Sequence, residues 1–232
     1  MAEASRGFGQ LRVDPELLLE FPGLHAIELP LGPLVVRRID PRLEAQKART
    51  LEEVRKSRAG PERIREEPIF RAYRDFYWKI GVDPTKTRPA AEALTRRSLG
   101  GREIPCINTL VDACNLVSLQ TSISIAAFDA DRLHPEALVL RRARSGEEFR
   151  GIGMNQPMTL RGVEMVIEDL TDRMLVANYP YRDSERARIT EATRRAVLFM
   201  CGVPGIEIEL LERAGRLCQE FVTEYCQDAP PS

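Results

Sequence analysis

Hydrophobic and polar positions follow two different periods within residues 105–133, and this segment gives the clearest structural signal in the chain. Apolar residues recur every three or four positions over residues 107–117, which predicts the buried stripe of a helix spanning residues 105–120. Over residues 122–127, isoleucine and alanine alternate with serine and alanine, which predicts a strand. The segment therefore predicts a helix that is followed directly by a strand.

The same reading predicts helices and short strands throughout the chain. Helices are expected where helical spacing is bounded by proline or glycine, over residues 40–57, 68–80, 89–99 and 206–226. Strands are expected in two runs of residues 25–39 that are separated by Gly32-Pro33, and over residues 137–143, 147–153, 158–169 and 173–179. Residues 196–203 fit either a helix or a strand by period. The aromatic stripe of residues 68–80 is interpreted as a core face.

The order of these elements predicts one α+β domain, because the chain contains neither an internal repeat nor a low-complexity linker. Residues 1–60 are expected to add N-terminal strands and a helix to the same globule, and residues 61–226 to form its main body. Residues 227–232 are predicted to be a disordered tail.

A polar stripe accompanies the apolar stripe of the central helix. Asn108, Asp112 and Asn115 are spaced i, i+4 and i+7, so we expect their side chains to emerge together into a hollow. Asn and Asp are unfavourable inside helices because their side chains compete for nearby backbone groups, and a solvated face would more readily consist of Lys and Glu. The alternative is structural: each residue makes a hydrogen bond to a loop or caps neighbouring backbone.

The motif IN-x-x-VD-x-x-N at residues 107–115, followed by AFDAD at residues 127–131, resembles the B3/B4 domain of the bacterial phenylalanyl-tRNA synthetase beta subunit. The rest of the chain is similar to free-standing B3/B4-domain proteins. This resemblance implies a B3/B4-like α+β fold over residues 61–226, in which a mixed or antiparallel sheet packs with helices. It also favours a strand over residues 196–203.

The resemblance implies an editing function, in which the ester of a mischarged tRNA is hydrolysed in trans. Such a reaction needs positioned water and help for the oxyanion, and it does not require a dedicated nucleophile. The chain is too short to be a complete synthetase. The resemblance implies catalytic roles for Asn115, Glu164 and Asp112. It implies substrate-binding roles for Asn108, Thr109, Tyr181, Arg182 and Asp183.

Three positions depart from the family's motif. Ala126 stands where the synthetase domain has His, Thr109 where some bacterial synthetases have Arg, and Cys114 where they have Thr. Cys114 lies on the apolar stripe and is interpreted as a core residue. Two other functions therefore stay open: a non-catalytic RNA- or tRNA-binding module, and a pocket for a free amino acid or a related small molecule. The expected partners are accordingly tRNA or an amino-acid-like ligand.

The charge balance of the chain bears on whether it binds nucleic acid. The chain has 34 basic and 35 acidic residues and a formal net charge of -1, which argues against tight non-specific binding to a nucleic-acid backbone. Most of the arginine clusters are interpreted as ordinary surface charge. They lie at residues 96–97, 141–144, 182–188 and 194–195.

Cysteine and histidine usage indicates a reduced protein without a metal centre. The five cysteines show no C-x-x-C spacing, and the two histidines are too few for a typical zinc site. We expect no cofactor, no signal peptide, no membrane span and a cytoplasmic location. The sequence does not indicate an oligomeric state.

Overall fold

The computed structural model of the chain describes residues 8–227, which contain six α-helices and eleven short strands. Residues 228–232 of the predicted tail lie outside the described residues. The helices are α1 (Pro15–Glu20), α2 (Pro41–Ser57), α3 (Pro68–Lys79), α4 (Ala90–Leu99), α5 (Thr109–Thr121) and α6 (Ile208–Tyr225). The strands are β1 (Gly9–Gln10), β2 (Arg12–Val13), β3 (Ala26–Leu31), β4 (Ser124–Asp129), β5 (Leu138–Arg142), β6 (Glu148–Phe149), β7 (Met158–Thr159), β8 (Met165–Asp169), β9 (Met174–Tyr179), β10 (Arg182–Asp183) and β11 (Ala196–Cys201).

The strands form two larger sheets and one small ribbon. A four-stranded antiparallel sheet has the order β1-β3-β11-β4. A five-stranded sheet has the order β10-β9-β8-β5-β2, in which only the β2–β5 pair is parallel. The ribbon consists of β6 and β7. This mixed α+β architecture confirms the predicted fold class.

Burial explains why the helices lie where they do. Every residue of β11 is buried, so this strand needs cover on both faces. Helix α6 contacts β3 and β11, α5 packs against α6 and α2, and both α4 and α5 contact β4. The aromatic stripe of α3 lies in the core as predicted, with Tyr73, Phe76 and Tyr77 buried.

Several predicted elements differ from the structure. The strand expected over residues 158–169 is interrupted after Thr159 and resumes at Met165, and of residues 147–153 only Glu148 and Phe149 form a strand. The second strand expected before residue 40 is absent, because the Leu34 and Val35 N–H groups bond to the Arg194 and Cys226 carbonyls instead of to a neighbouring strand. Helix α5 begins at Thr109, four residues later than Pro105, because the Asn108 side chain accepts a hydrogen bond from the Val111 N–H at 3.0 Å and acts as the N-cap. By contrast, β11 is a strand, as the resemblance implies.

The end of α5 sets the path of the following strand. Ser122 adopts a left-handed conformation with φ of 64°, and its N–H bonds to the Ser118 carbonyl at 2.9 Å. Its hydroxyl accepts a hydrogen bond from Arg58 at 2.9 Å, which holds the turn in place. The chain therefore reverses within two residues and enters β4.

Among residues 8–227, none of the helices combines the length and the apolar composition that crossing a membrane would require.

Candidate functional site

Two adjoining cavities lie where α4, α5, β4 and the β9–β10 turn meet. The larger has a volume of about 670 Å³ and the smaller about 80 Å³. Ala90 at the start of α4 and Ile125 in β4 line both of them. A ligand with a small group at one end therefore has room for that group in one cavity and for its remainder in the other.

The smaller cavity is formed by the two sheets where β4 contacts β10. Its walls come from β4, the end of β9, β10 and the last residue of β11. Asp183 joins the two sheets, because its carboxylate accepts a hydrogen bond from the Ala127 N–H at 3.1 Å. Ala126, which stands where the related synthetase domain has His, lies on the same wall.

Asp183 supplies the carboxyl group that lines the smaller cavity. Burial raises the pKa of this carboxyl to about 7, and the hydrogen bond from Ala127 only partly offsets the shift. A carboxyl with such a pKa exchanges its proton near neutral pH, as a general acid or base must.

Tyr181 and Arg182 line the same cavity, but Arg182 is already engaged. Its guanidinium donates to the Ile152 carbonyl at 2.9 Å and lies 5.1 Å from the centre of the Tyr181 ring. Arg182 and Asp183 are consecutive residues of β10, so their side chains leave opposite faces of the strand. Arg182 and Asp183 therefore do not pair with each other.

The larger cavity is lined by arginines and by one face of α5. Asn115 and Ser118 come from that face, and no Asp or Glu is among the lining residues. Arg96 donates to the Pro61 carbonyl at 2.6 Å and pairs with Glu62 at 2.8 Å, while Arg97 donates to the Glu103 carbonyl at 2.7 Å. Within residues 8–227, the side chains of Arg88, Arg102 and Asn115 have no hydrogen-bond or ion-pair partner.

The polar stripe of the central helix does not converge on one hollow, so this prediction is wrong. Asn108 is the buried N-cap of α5. Asp112 is 1% exposed, accepts from the Ile107 N–H at 3.0 Å and binds the Lys47 ammonium at 3.0 Å. Thr109 is buried as well, and its hydroxyl accepts from the Arg37 N–H at 3.1 Å. Only Asn115 reaches a cavity, and the structural alternative describes Asn108 and Asp112.

Glu164 also lies outside both cavities. It precedes β8, and its carboxylate accepts from the Arg161 N–H at 2.9 Å and from the Val163 N–H at 3.2 Å. Burial alone would raise the pKa of Glu164, but backbone N–H groups and the Arg161 guanidinium outweigh it and lower that pKa. The carboxylate is therefore satisfied by its own loop, and the structure does not place it beside Asn115.

Two clusters of potential metal ligands occur among the described residues, and their geometry explains both without an ion. In the first, the Lys47 ammonium already binds the carboxylates of Glu44 and Asp112. In the second, the buried Asp169 accepts hydrogen bonds from the N–H groups of His134 and Thr171. The clusters consist of Glu44, Cys106 and Asp112, and of His134, Asp169 and Asp172.

Cys114 is buried in the core, as predicted, and its thiol is no candidate nucleophile. A hydrogen bond with Cys218, together with burial, raises the pKa of the Cys114 thiol well above its usual range.

The Tyr73 hydroxyl bonds to β4 and β11, two neighbouring strands that line the smaller cavity. It donates to the Cys201 carbonyl at 2.5 Å and accepts from the Ser124 N–H at 3.0 Å, and both of these residues line the cavity. Sequence reasoning placed Tyr73 in the core but gave no sign of this role, since its two partners lie 51 and 128 positions away.

We expect Tyr73→Phe to lower the free energy of unfolding by about 1–3 kcal/mol, because it leaves a buried carbonyl and a buried N–H without a partner. Tyr77→Phe is the matched control, since the Tyr77 hydroxyl is buried and has no partner among the described residues. Urea denaturation of the two variants measures the difference. Equal losses would show that the two hydrogen bonds of the Tyr73 hydroxyl add no stability.

Comparison with known proteins adds a family and one solved fold. Residues 72–227 match the family described as the B3/4 domain. An N-terminal fragment of the phenylalanyl-tRNA synthetase beta subunit from Pyrococcus horikoshii is similar over 93% of this chain, with 14% identity and a TM-score of 0.48. The chain spans about half of that fragment, with 48% of it covered. No curated protein matches the chain.

Proposed function

The chain belongs to the B3/4 domain family, and from this premise we propose that it hydrolyses the ester of an aminoacyl-tRNA in trans. The Asp183 carboxyl carries the proposal, because it lines a small cavity and has a pKa of about 7. The motif at residues 107–131, which resembles a synthetase editing domain, supports the choice of substrate.

The two cavities suit the two parts of such a substrate. The aminoacyl group enters the smaller cavity, and the terminal nucleotides of the tRNA occupy the larger one. The ester then lies at the junction beside Ala90 and Ile125. Asn115 is available to bind a ribose hydroxyl, since its amide both donates and accepts and has no other partner among the described residues.

In this proposal Asp183 acts as the general base. Its ionised form accepts a proton from a water molecule while that water attacks the ester carbonyl. The bond between the carbonyl carbon and the ribose oxygen then breaks, and the protonated Asp183 returns its proton to that oxygen, which leaves as the tRNA hydroxyl. Glu164 and Asp112 take no part, because their carboxylates are bound by nearby N–H groups and by Lys47. The catalytic roles that the resemblance implies for these two residues remain untested predictions, and this mechanism does not use them.

The size of the smaller cavity predicts which aminoacyl groups are accepted. A cavity of roughly 150 Å³ binds benzene, whereas this one measures about 80 Å³. In a deacylation screen over charged tRNAs, we therefore expect alanyl or seryl esters to be hydrolysed about tenfold faster, or more, than phenylalanyl or tyrosyl esters.

Turnover is measured as the release of labelled amino acid above the spontaneous rate at the same pH. Asp183→Asn provides the inactive comparison, and Asp75→Asn removes an exposed carboxylate elsewhere. Absence of turnover on every ester at high protein concentration would refute the proposed function. Turnover on tyrosyl-tRNA equal to that on seryl-tRNA would refute only the size argument.

Non-catalytic RNA binding is the second candidate function. It is favoured by the guanidiniums of Arg88 and Arg102, which have no partner in the described part of the chain. Under this alternative, tRNA binds in the larger cavity but its ester survives. Binding of a free amino acid or a related small molecule in the smaller cavity stays a third prediction.

A further inference from the structure

We infer that the larger cavity binds the sugar–phosphate backbone of single-stranded RNA, with Arg88 and Arg102 as the phosphate contacts. The choice of RNA rests on the proposed function, whereas the site itself rests on the geometry of α4. Neither arginine belongs to a cluster in the sequence, so the folded chain is needed to bring them to one cavity.

Charge is the first support. Four arginines line the cavity, and no carboxylate lines it with them. Elsewhere in the described chain, arginines such as Arg74 and Arg195 pair with Glu92 and Asp131. Like charges around one concavity repel each other, and a bound anion relieves that repulsion. Guanidinium is also the side chain that matches phosphate geometry best.

The separation of Arg88 and Arg102 is the second support, because it favours a polymer with several phosphates over a single phosphate ion. Arg88 and Arg102 start from opposite ends of α4, whose ten residues span about 15 Å. A single phosphate is too small to follow that length of cavity. A strand that carries a phosphate at each nucleotide meets both guanidiniums in turn.

The surface between the two arginines fits a single strand. Asn115 and Ser118 lie three residues apart on one face of α5 and offer an amide and a hydroxyl to sugar oxygens. Ala91 and Leu94 supply apolar surface on the other side. A volume of about 670 Å³ lies within the range of pockets for small ligands, which suits a short part of a single strand better than a duplex.

The junction of the cavities gives the strand a direction. Helix α4 starts there, and Pro89 provides no side-chain cap, so the positive end of the helix dipole adds to the attraction for the anion near Ala90. Since the smaller cavity begins at this point, the 3′ end of the strand belongs beside Ala90. Its remaining nucleotides then run along α4.

Fluorescence anisotropy with a labelled eight-nucleotide RNA ending in CCA tests the inference. We expect Arg88→Gln and Arg102→Gln each to weaken binding about five- to tenfold at low salt. Each change should also reduce the slope of log K against log salt by about 0.7, as expected for one lost phosphate contact on a single strand. The matched controls, Arg150→Gln and Arg213→Gln, remove exposed guanidiniums that lack side-chain partners among residues 8–227, and they should change binding less than about twofold.

Several results would overturn the inference: equal losses in all four variants, equal binding of a blunt RNA duplex, equally strong competition by adenosine monophosphate, or no binding at low salt. The oligonucleotide carries no ester, so its binding does not depend on hydrolysis. Binding without turnover of any aminoacyl-tRNA would defeat the proposed activity alone. Turnover that is insensitive to Arg88 and Arg102 would defeat the RNA-binding inference alone.

Discussion

Asp183→Asn is expected to slow ester hydrolysis by about 10²-fold or more at pH 8, the loss typical of removing a general base. Asparagine has nearly the same shape, and its carbonyl oxygen can still accept the hydrogen bond from the Ala127 N–H. It lacks only the basic oxygen that receives the proton from water. Single-turnover deacylation of the best ester, measured with and without the substitution, gives the ratio directly.

The pH dependence of the same reaction supplies an independent readout. Because the base must be ionised, the rate of the unmodified protein should rise with pH and reach half of its plateau near pH 7, the pKa of Asp183. The variant should lack this inflection once spontaneous hydrolysis is subtracted. A pH profile that the substitution leaves unchanged would exclude Asp183 as the base.

The stability of the unmodified protein should fall with rising pH over the range in which its hydrolytic rate rises. The pKa of Asp183 is higher in the folded chain than its ordinary value of 3.8, so the folded state retains the proton longer. Stability is therefore lost as the pH rises from about 4 through 7, because ionisation is easier in the unfolded chain. Asp183→Asn should remove that loss, so urea denaturation should find it more stable than the parent at pH 8 but not at pH 4. A variant that merely misfolds would not show this pattern.

Periodicity predicted the parts of the fold that depend on local sequence. Helix α2 begins after Asp40, whose side chain accepts from the Arg42 N–H at 2.8 Å, as a capping aspartate at that position indicates. The strand expected over residues 34–39 also starts with a local signal, an apolar run of three residues. This strand does not form, because the Leu34 and Val35 N–H groups bond to the carbonyls of Arg194 and Cys226, which are far away in the sequence.

The candidate site was less predictable, because long-range neighbours decide what each polar residue does. Asp112 and Asn115 belong to the same polar stripe of the predicted helix. In the fold, Lys47 of α2 binds the Asp112 carboxylate, whereas Asn115 lines a cavity. Arg88 and Arg102 belong to none of the arginine clusters in the sequence, and only the folded chain brings them to one cavity. The pKa of Asp183 likewise depends on burial between two sheets that only the folded chain creates.

Asp112→Ala is expected to lower the free energy of unfolding by about 3–5 kcal/mol, the usual effect of removing one member of a buried ion pair. The Lys47 and Asp112 side chains are only 6% and 2% exposed, and their charged atoms lie 3.0 Å apart. The substitution leaves the Lys47 ammonium with only the partly exposed Glu44, and it takes the acceptor from the Ile107 N–H at the start of α5. Urea denaturation measures this loss.

The double substitution Lys47→Met with Asp112→Leu separates a structural role of Asp112 from a catalytic one. Replacing both charges by apolar groups removes the unpaired ammonium, so the double variant should recover most of the stability that Asp112→Ala loses. Its hydrolytic rate per folded molecule should then match that of the parent, because the Asp112 carboxylate lines neither cavity. If the double variant were stable but inactive, Asp112 would contribute to the chemistry, and the ion pair with Lys47 would serve the reaction as well as the fold.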